Sequence, residues 1–222
     1  MEHEEVLLLK RREMQDKLIF KLIGKIRKSG FQHLKMEDIA KLMDVSRATL
    51  YKYFSNKEEI IGRFTDGLIT YIKGMENTEQ EFNFYNGFQQ HFEQSVSLAL
   101  LITDEFLQEL KNTYPDIYVK LTVELNKRNE QLKAYYTKGM EQNVFNKINP
   151  TIIILQNHLF NTLFDPKYLM TNQLTIDQAL RDFYHLQKVQ LFLPQHVLKV
   201  NDDLMEPKIN YLTQKITNIL YT

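Results

Sequence analysis

The segment at residues 46–54, SRATLYKYF, places cationic and hydroxyl side chains on one predicted helical face and apolar side chains on the other. Leu50 and Phe54 are four residues apart and are predicted to point into a core. The side chains left pointing outward are Arg47, Thr49, Lys52 and Tyr53, with Tyr51 at the edge. Such donors suit phosphates and base edges, so the segment predicts a short helix that enters the major groove of DNA.

Among the outward side chains, Arg47 is the predicted reader of sequence, because its planar fork matches the two acceptors on a guanine edge. Thr49 can contact a thymine methyl group or a phosphate. Lys52 and the two tyrosines suit the phosphate backbone, where contacts position a protein without specifying sequence. Lys57, at the start of the following helix, is predicted to clamp a phosphate beside exposed N–H groups.

The neighbouring residues complete a predicted helix-turn-helix within residues 30–61. The inner face of a preceding short helix and its turn is supplied by Ile39, Ala40, Met43 and Val45. Ser46 is predicted to cap the second helix. A longer first helix is predicted from about Glu4 to Lys28, and a fourth opens with the capping box Ser55–Glu58. A helical hairpin with surface cations also occurs in proteins that bind no DNA, and these patterns alone leave that alternative open.

The order of these residues resembles the TetR family of bacterial transcriptional regulators. The family pattern runs Gly-aromatic, Asp-Ile-Ala, Gly-Val-Ser, Thr-Leu-Tyr, an aromatic pair ending in Phe, and Lys-Glu. The matching residues here are Gly30-Phe31, Asp38-Ile39-Ala40, Asp44-Val45-Ser46, Thr49-Leu50-Tyr51, Tyr53-Phe54 and Lys57-Glu58. The resemblance implies an N-terminal DNA-binding head on a larger helical body that binds a ligand and dimerises. Beyond the head, the chain matches the family only in helical character and length.

Three positions depart from the family pattern. Asp44 stands in the turn where glycine is usual, although Asp tolerates a left-handed conformation. Ala48 replaces a frequent glycine at the start of the recognition helix. Lys35 replaces a Thr or Ser that caps the first helix of the motif and touches phosphate; a lysine cannot cap but can meet a phosphate. The predicted DNA contacts are Lys35, Ser46, Arg47, Ala48, Thr49, Tyr51, Lys52, Tyr53 and Lys57.

The composition is that of a globular protein with a basic head and an acidic body. Of 222 residues, 43% are hydrophobic and 25% charged. Up to Phe64 there are 14 Lys and Arg against 10 Asp and Glu, and the remainder has 14 against 18. With no cysteine and six scattered histidines, no metal and no cofactor is expected. The lack of a long apolar run or signal segment predicts a cytoplasmic protein without membrane contact.

An all-α chain is predicted, because glycine and proline number only 7 and 5 and apolar residues recur every three or four positions. We expect residues 1–54 to form the helix-turn-helix domain, 55–74 a connecting helix, and 75–222 a helical effector-binding and dimerisation domain. Helices of this body are predicted at about 78–101, opened by a capping box at Thr78–Glu81, and at about 104–111, 115–143, 150–164, 175–193 and 203–220.

A homodimer is expected, because one head contacts few base pairs and specific binding generally requires two heads a helical turn apart. The resemblance implies that late helices of the body pack as a four-helix bundle. Residues 151–164 are apolar on nearly every side and must be buried on every side. Either a second copy of the chain or the core of the monomer can bury them. The predicted interface residues are Ile153, Leu159, Phe160, Leu163, Phe183, Leu186, Val189 and Gln190. The last helix is either a strut of the bundle or an exchange arm.

Aromatic residues are concentrated at 82–92 and again between 106 and 136. The family usually has a small-molecule pocket in the body, and an aromatic-lined cavity suits a flat, apolar effector. The same spacing is also typical of an ordinary core. The predicted pocket residues are Phe84, Phe88, His91, Phe92, Phe106, Tyr114, Tyr118, Tyr136 and His158.

Together with these patterns, the resemblance implies a homodimeric TetR-like transcriptional regulator, a repressor released by a small apolar or aromatic effector. The expected partners are double-stranded operator DNA, a second copy of the chain and an unknown small molecule. The alternative is a helical regulator or adaptor controlled by a protein partner. The sequence has no phosphate-cradling glycine loop, nucleophile elbow or paired metal-ligand motif, so no enzyme is expected.

Overall fold

The computed structural model describes residues 2–74 and 83–221, and within these ranges it contains helices and no strand. The predicted all-α class is therefore confirmed; one isolated bridge joins Phe145 and Phe192. The predicted capping box at Thr78–Glu81 lies outside the described residues. Two compact units are present, one with residues 2–74 and 103–124 and the other with residues 83–102 and 125–221. None of the described helices is long and apolar enough to cross a membrane.

The first unit contains the helix-turn-helix and the helices that support it. Its helices are α1 Glu2–Phe20, α2 Ile23–Ser29, α3 Met36–Leu42, α4 Arg47–Tyr53, α5 Lys57–Lys73, α7 Asp104–Thr113 and the start of α8 Pro115–Glu141. The predicted first helix of residues 4–28 is interrupted, because Lys21 and Leu22 donate to carbonyls only three residues back, which tightens the chain into a turn. Leu18 and Ile19 before that turn and Leu22, Ile23 and Ile26 at and after it are buried.

Residues 103–124, which were expected in the body, pack within the first unit. Phe106 and Leu110 of α7 are fully buried. The Phe106 ring lies 5.8 Å from that of Phe31 and 5.4 Å from that of Phe64, so an aromatic cluster joins α7 to the helix-turn-helix. The compact unit that carries the motif is thus larger than the predicted 1–54 domain and 55–74 connecting helix.

The second unit contains α6 Phe84–Leu101, the remainder of α8, α9 Pro150–Leu155, α10 Leu159–Leu163, α11 Pro166–Thr171, α12 Ile176–Leu191, α13 Pro194–Val197 and α14 Glu206–Tyr221. The predicted helix at 150–164 is broken by a 3₁₀ turn at Gln156–His158. Asn149 and Asp165 cap the proline-led helices α9 and α11. Sequence patterns missed α11 and α13, whose few residues show no clear periodicity.

The last helix, α14, packs against α6 and α12 of the same chain. Ile209, Leu212 and Ile216 are its most deeply buried residues. Arg181 of α12 donates to both carboxylate oxygens of Glu206 at 2.7 and 2.6 Å, which ties the start of α14 to α12. In this arrangement α14 is a strut within its own chain.

Candidate nucleic-acid interface

The two helices of the motif, α3 and α4, cross over a fully apolar contact. Ile39, Ala40 and Met43 of the first helix and its end are at most 2% exposed, and Leu50 and Phe54 are fully buried, as predicted. Asp44 in the turn has a φ of 56°, so it adopts the left-handed conformation that the sequence required at the glycine position. The inward-facing residues of the motif were therefore predicted correctly.

The recognition helix α4 begins at a side-chain cap. The Ser46 hydroxyl accepts from the Thr49 N–H at 3.0 Å, which confirms the predicted cap and satisfies one of the free donors of the first turn. The two hydroxyls of Ser46 and Thr49 lie 2.9 Å apart. The fourth predicted helix, α5, is capped differently, because Asn56 rather than Ser55 accepts from the Glu59 N–H at 2.8 Å. Lys35 precedes α3 without a side-chain cap, and its N–H donates to Asp38.

The outer face of α4 has the polar character that the sequence predicts. Arg47, Ala48 and Lys52 are exposed, Tyr51 is 47% exposed, and Tyr53 is half-buried. Lys35, at the start of α3, is also exposed. Arg47 is engaged by an acid that was not predicted to contribute, because its Nη1 lies 2.6 Å from Oε1 of Glu37 on α3. The side chains on this face can donate to base edges and phosphates, and their contacts with DNA stay predictions.

Helix α1 holds the end of the recognition helix through contacts that sequence reasoning missed. Arg11 and Gln15 both donate to the Tyr53 carbonyl, at 3.2 and 2.8 Å, so this carbonyl at the end of α4 is satisfied. Lys21 donates to the Met43 carbonyl at the end of α3 at 2.9 Å. A signal existed, because positions 11 and 15 continue the same helical face as the buried Leu18 and Leu22.

The loop between α2 and α3 is held on two sides by opposite charges. Glu109 of α7 accepts from the N–H groups of Phe31 and Gln32 at 2.5 and 3.0 Å. The ammonium of Lys57 donates to the carbonyls of Gln32 and Leu34 at 2.8 and 3.0 Å, and more weakly to that of Phe31 at 3.4 Å. The anion thus binds the donors of the loop, and the cation binds its acceptors.

Lys57 has a structural partner set that the sequence did not reveal. Partial burial lowers the pKa of its ammonium, and the nearby Glu109 carboxylate opposes that shift. Since an ammonium has three donors and three carbonyls accept them, Lys57 has none left for a phosphate in this arrangement. The predicted phosphate contact therefore stays a prediction, and it requires the ammonium to leave the loop.

We expect Lys57→Met to lower thermal stability and operator affinity while leaving the salt dependence of binding unchanged, because it removes loop contacts rather than a phosphate contact. The matched control is Lys52→Met, which removes an exposed cation from α4 and should reduce the slope of log affinity against log salt by about one. Fluorescence anisotropy titrations at several salt concentrations measure both slopes. If Lys57→Met does reduce the slope, Lys57 contacts a phosphate as the sequence predicts.

The residues predicted to line an effector pocket are divided between the two compact units. Phe106, Tyr114 and Tyr118 belong to the first unit, where Tyr114 stacks on Phe31 with ring centroids 6.0 Å apart, and their role in a pocket stays a prediction. His158 is exposed on its 3₁₀ turn. The remaining candidates lie on α6 and α8 of the second unit: Phe84, Phe88, His91, Phe92 and Tyr136.

These remaining aromatic side chains are packed as core. Phe84, Phe88 and Phe92 are 3–6% exposed, and ring centroids of Phe88 and Phe92 lie 5.3 and 5.2 Å from that of Tyr184. A cavity of about 10 Å³ next to them holds one water at most. Its lining consists of Phe88, Tyr136, Ile153, Gln156, Gln187, Gln190 and Leu191. Any effector that binds among these rings must displace them.

His91 is held neutral inside the second unit. Its Nδ1 is buried without a hydrogen-bond partner among the described residues, and burial, with a smaller contribution from the Arg128 charge, lowers its pKa from 6.5 to about 4. The unfolded chain therefore binds a proton at this site below pH 6.5, whereas the folded chain does so only near pH 4. We expect the free energy of unfolding to decrease by about 3 kcal/mol as the pH is lowered from 6.5 to 4. In denaturant titrations His91→Gln should lose this decrease, and a variant that keeps it would refute the assignment to His91.

The residues predicted at a dimer interface separate into two groups. Ile153, Phe160 and Phe183 are buried in the core of the second unit, where the rings of Phe160 and Phe183 meet edge to face at 4.9 Å, which favours for these three the alternative that they complete a monomer core. Leu159, Leu186 and Val189 are 46–56% exposed. Leu163 and Gln190 are half-buried.

The exposed group is part of a continuous apolar face. Ile152, Leu155 and Leu159, at helical spacing, are 50–57% exposed on α9 and α10. The side chains of Gln156 and Gln190 are joined by a 2.8 Å hydrogen bond, which sets this row beside Leu186 and Val189 of α12. Two adjacent rows of exposed aliphatic side chains, called the α9–α12 face below, are typical of a surface that another protein covers.

Comparisons with known proteins agree with this geometry. The family model described as bacterial regulatory proteins, tetR family, matches residues 26–64, which include α3, α4 and the start of α5. An uncharacterized HTH-type transcriptional regulator of Bacillus subtilis, YvaF, is 24% identical over 75% of this chain and 90% of its own. The negative transcriptional regulator IcaR of the biofilm operon icaADBC in Staphylococcus epidermidis is 25% identical over 68% of this chain and 77% of its own.

Solved structures share the fold. The ketosteroid transcriptional regulator KstR2 of Mycobacterium tuberculosis aligns with a TM-score of 0.57 at 14% identity, covering 81% of this chain and 95% of its own. AibR, solved in complex with isovaleryl coenzyme A and operator DNA, aligns with a TM-score of 0.58 at 14% identity, covering 78% of this chain and 97% of its own. These relatives and neighbours are transcriptional regulators rather than enzymes. Residues 26–64 thus match the TetR family of bacterial transcriptional regulators, and the chain is similar to transcriptional regulators in sequence and to solved regulators in fold.

Proposed function

We propose that this chain is a homodimeric repressor that binds a two-fold symmetric operator through α4. The support is the exposed outer face of α4, on which Arg47 and Lys52 project from a helix held at its start by Ser46 and at its end by α1. Arg47 reads a guanine edge, and the surrounding hydroxyl and cationic side chains bind phosphates. Repression is favoured by IcaR, a relative whose name records negative regulation.

The α9–α12 face is the proposed dimer interface. A DNA-binding head of this size contacts one major groove, so two copies held at a fixed separation reach two half-sites a helical turn apart. Exposed leucines and valine on neighbouring helices provide the apolar centre that a homodimer interface needs.

A small apolar or aromatic molecule is the proposed signal. The aromatic core on α6 and α8 offers apolar surface for such a ligand, and the structural neighbour AibR was solved with isovaleryl coenzyme A. Because the rings fill their own space, the ligand must favour a conformation in which they part, and only a difference in its affinity for the two conformations shifts the equilibrium. A library of hydrophobic acids, aromatic compounds and acyl thioesters, screened by thermal shift and then by operator release, tests this signal.

The first experiment is nuclease protection of the DNA flanking the gene that encodes the chain. We expect one protected region with two inverted half-sites centred about 10 base pairs apart or a multiple of that distance. Uniform, unsaturable retention of all fragments, or protection of a single half-site at full affinity, would contradict the proposal.

Arg47→Ala tests the proposed reader of sequence. We expect the variant to lose roughly 10- to 100-fold discrimination at one base pair in each half-site, because a bidentate contact with guanine disappears there. Anisotropy competition with operators substituted one base pair at a time measures the discrimination. A uniform loss across all substituted operators would assign Arg47 to the phosphate backbone instead.

Control by a protein partner is the second candidate. It is favoured by the exposed apolar face on the second unit, because such a face can bind an apolar helix of another protein as well as a second copy of the chain. The two candidates are separated by oligomeric state. A chain that is monomeric at micromolar concentration and retains a helical partner on the α9–α12 face would favour the partner over a second copy.

A further inference from the structure

An acidic side chain lies beside the proposed sequence reader on the DNA-binding side of the motif. Glu37 of α3 accepts from Arg47 of α4 at 2.6 Å, and the two side chains are 55% and 61% exposed. An exposed ion pair contributes little to folding stability, so stability alone is a weak reason for this pair. A carboxylate at a surface that approaches phosphates also opposes DNA binding in general. The position of Glu37 therefore calls for an effect specific to Arg47.

The pairing leaves Arg47 able to read a base. A guanidinium has five N–H donors in a planar fork, and only Nη1 is bonded to Glu37. Nε and Nη2 of Arg47 make no hydrogen bond within residues 2–74 and 83–221. These two nitrogens lie on the other edge of the fork, and two parallel donors are what the O6 and N7 acceptors of guanine require.

Glu37 is itself well placed to act as a fixed brace. It lies in the first turn of α3, where the helix dipole favours an acid, and α3 is anchored by Ile39 and Ala40 in the core of the motif. Arg47 is the first residue of α4, so both side chains extend from the starts of helices whose crossing is set by buried contacts. A short charge-assisted bond between two anchored helices restricts the rotation of the arginine side chain.

We propose that Glu37 is a specificity-determining positioning residue that holds one nitrogen of Arg47 and presents the other edge of the guanidinium to a guanine. This inference rests on the proposed function, in which Arg47 reads a base. At the correct base pair, Arg47 donates hydrogen bonds to both Glu37 and the guanine. At a wrong base pair the arginine cannot turn to a phosphate without leaving the Glu37 carboxylate unpaired next to the DNA, so Glu37 penalises wrong sequences more than the right one.

The test measures binding of Glu37→Gln, Arg47→Ala and the double variant to the operator, to operators substituted at single base pairs, and to random-sequence DNA. We expect Glu37→Gln to bind random DNA several-fold more tightly and to lose about ten-fold discrimination, only at the base pair that Arg47→Ala also affects. In the Arg47→Ala background, Glu37→Gln should leave discrimination unchanged, since the two residues act as one unit.

Asp66→Asn is the matched control, because it removes one exposed negative charge from α5 of the same unit. It is expected to strengthen binding at most slightly and to leave discrimination at every base pair unaltered. Thermal unfolding of each variant checks that the fold is retained. If Glu37→Gln fails to fold, Glu37→Ser is measured in its place.

The outcomes separate the inference from the function on which it rests. If Arg47→Ala loses discrimination at one base pair and Glu37→Gln does not, Glu37 is no positioning residue and the reading role of Arg47 stands. If Glu37→Gln changes affinity equally for every sequence, its charge acts only through the general field, and the inference is overturned. If Arg47→Ala itself leaves discrimination intact, the proposed reading role fails and the inference fails with it.

Discussion

Replacing Gly30 with alanine is expected to destabilise the first unit by about 2–4 kcal/mol and to abolish operator binding at concentrations that saturate the parent protein. Gly30 has a φ of 65° and a ψ of −171°, a backbone region that is essentially restricted to glycine. A Cβ at this position would also overlap the carboxylate of Glu109. The alanine therefore introduces backbone strain and expels the anion that binds the N–H groups of Phe31 and Gln32.

The effect on DNA binding follows from the position of this loop. Residues 31–35 lead directly into α3, and α3 sets the placement of α4 through their shared apolar contact. The matched control is Gly67→Ala in the exposed part of α5, where a Cβ has no neighbour within 4 Å in the part of the chain that the structure describes. That change should stabilise the protein by about 0.5–1 kcal/mol, because alanine is the better helix former. Chemical denaturation and anisotropy on both variants give the comparison.

Glu109→Ala distinguishes the two causes of the Gly30 effect. It removes the two loop hydrogen bonds without adding backbone strain, so it should reproduce only part of the stability loss. A Gly30→Ala protein with parental stability and operator affinity would show that neither strain nor the anion matters for the head.

The parts of the motif that follow local rules could be predicted from the sequence. The Ser46 cap, the left-handed Asp44 and the buried pair Leu50 and Phe54 depend on residues within a few positions of one another, where helix geometry determines the outcome. The contact of Glu109 with Phe31 joins residues 78 positions apart. No periodicity in either segment specifies that pairing, and the charge of Glu109 resembles that of any solvated helical acid.

The body shows why apolar patterns alone do not separate a core from an interface. Residues 151–164 are apolar on nearly every side, so every side must be buried. The sequence does not specify which side packs against the rest of the same chain. Phe160 faces the core, whereas Leu159, one position earlier, is half exposed. The difference depends on the 3₁₀ turn at Gln156–His158 and on the packing of α12, which are tertiary effects. The aromatic residues on α6 pose the same question, because a core and a cavity lining share one spacing.

The Leu159→Glu/Leu186→Glu double variant is expected to convert the protein to a monomer and to weaken operator binding by roughly 100-fold or more. The two leucines are 50% and 56% exposed on the α9–α12 face, so the glutamates remain solvated in a monomer but are buried opposite like charges in a dimer. Each monomer then binds one half-site without the gain that comes from linking two heads. Sedimentation velocity reports the oligomeric state, and anisotropy on whole and half operators reports the linkage.

Leu198→Glu is the matched control for this experiment, because Leu198 is 95% exposed in the same unit and lies on neither α9, α10 nor α12. It adds a negative charge of the same kind and is expected to leave oligomeric state and operator affinity unchanged. Affinity for a single half-site should be the same for the parent, the control and the double variant, since α4 is untouched. A double variant that stays dimeric would place the interface elsewhere, whereas a monomer that keeps full operator affinity would remove the need for two linked heads.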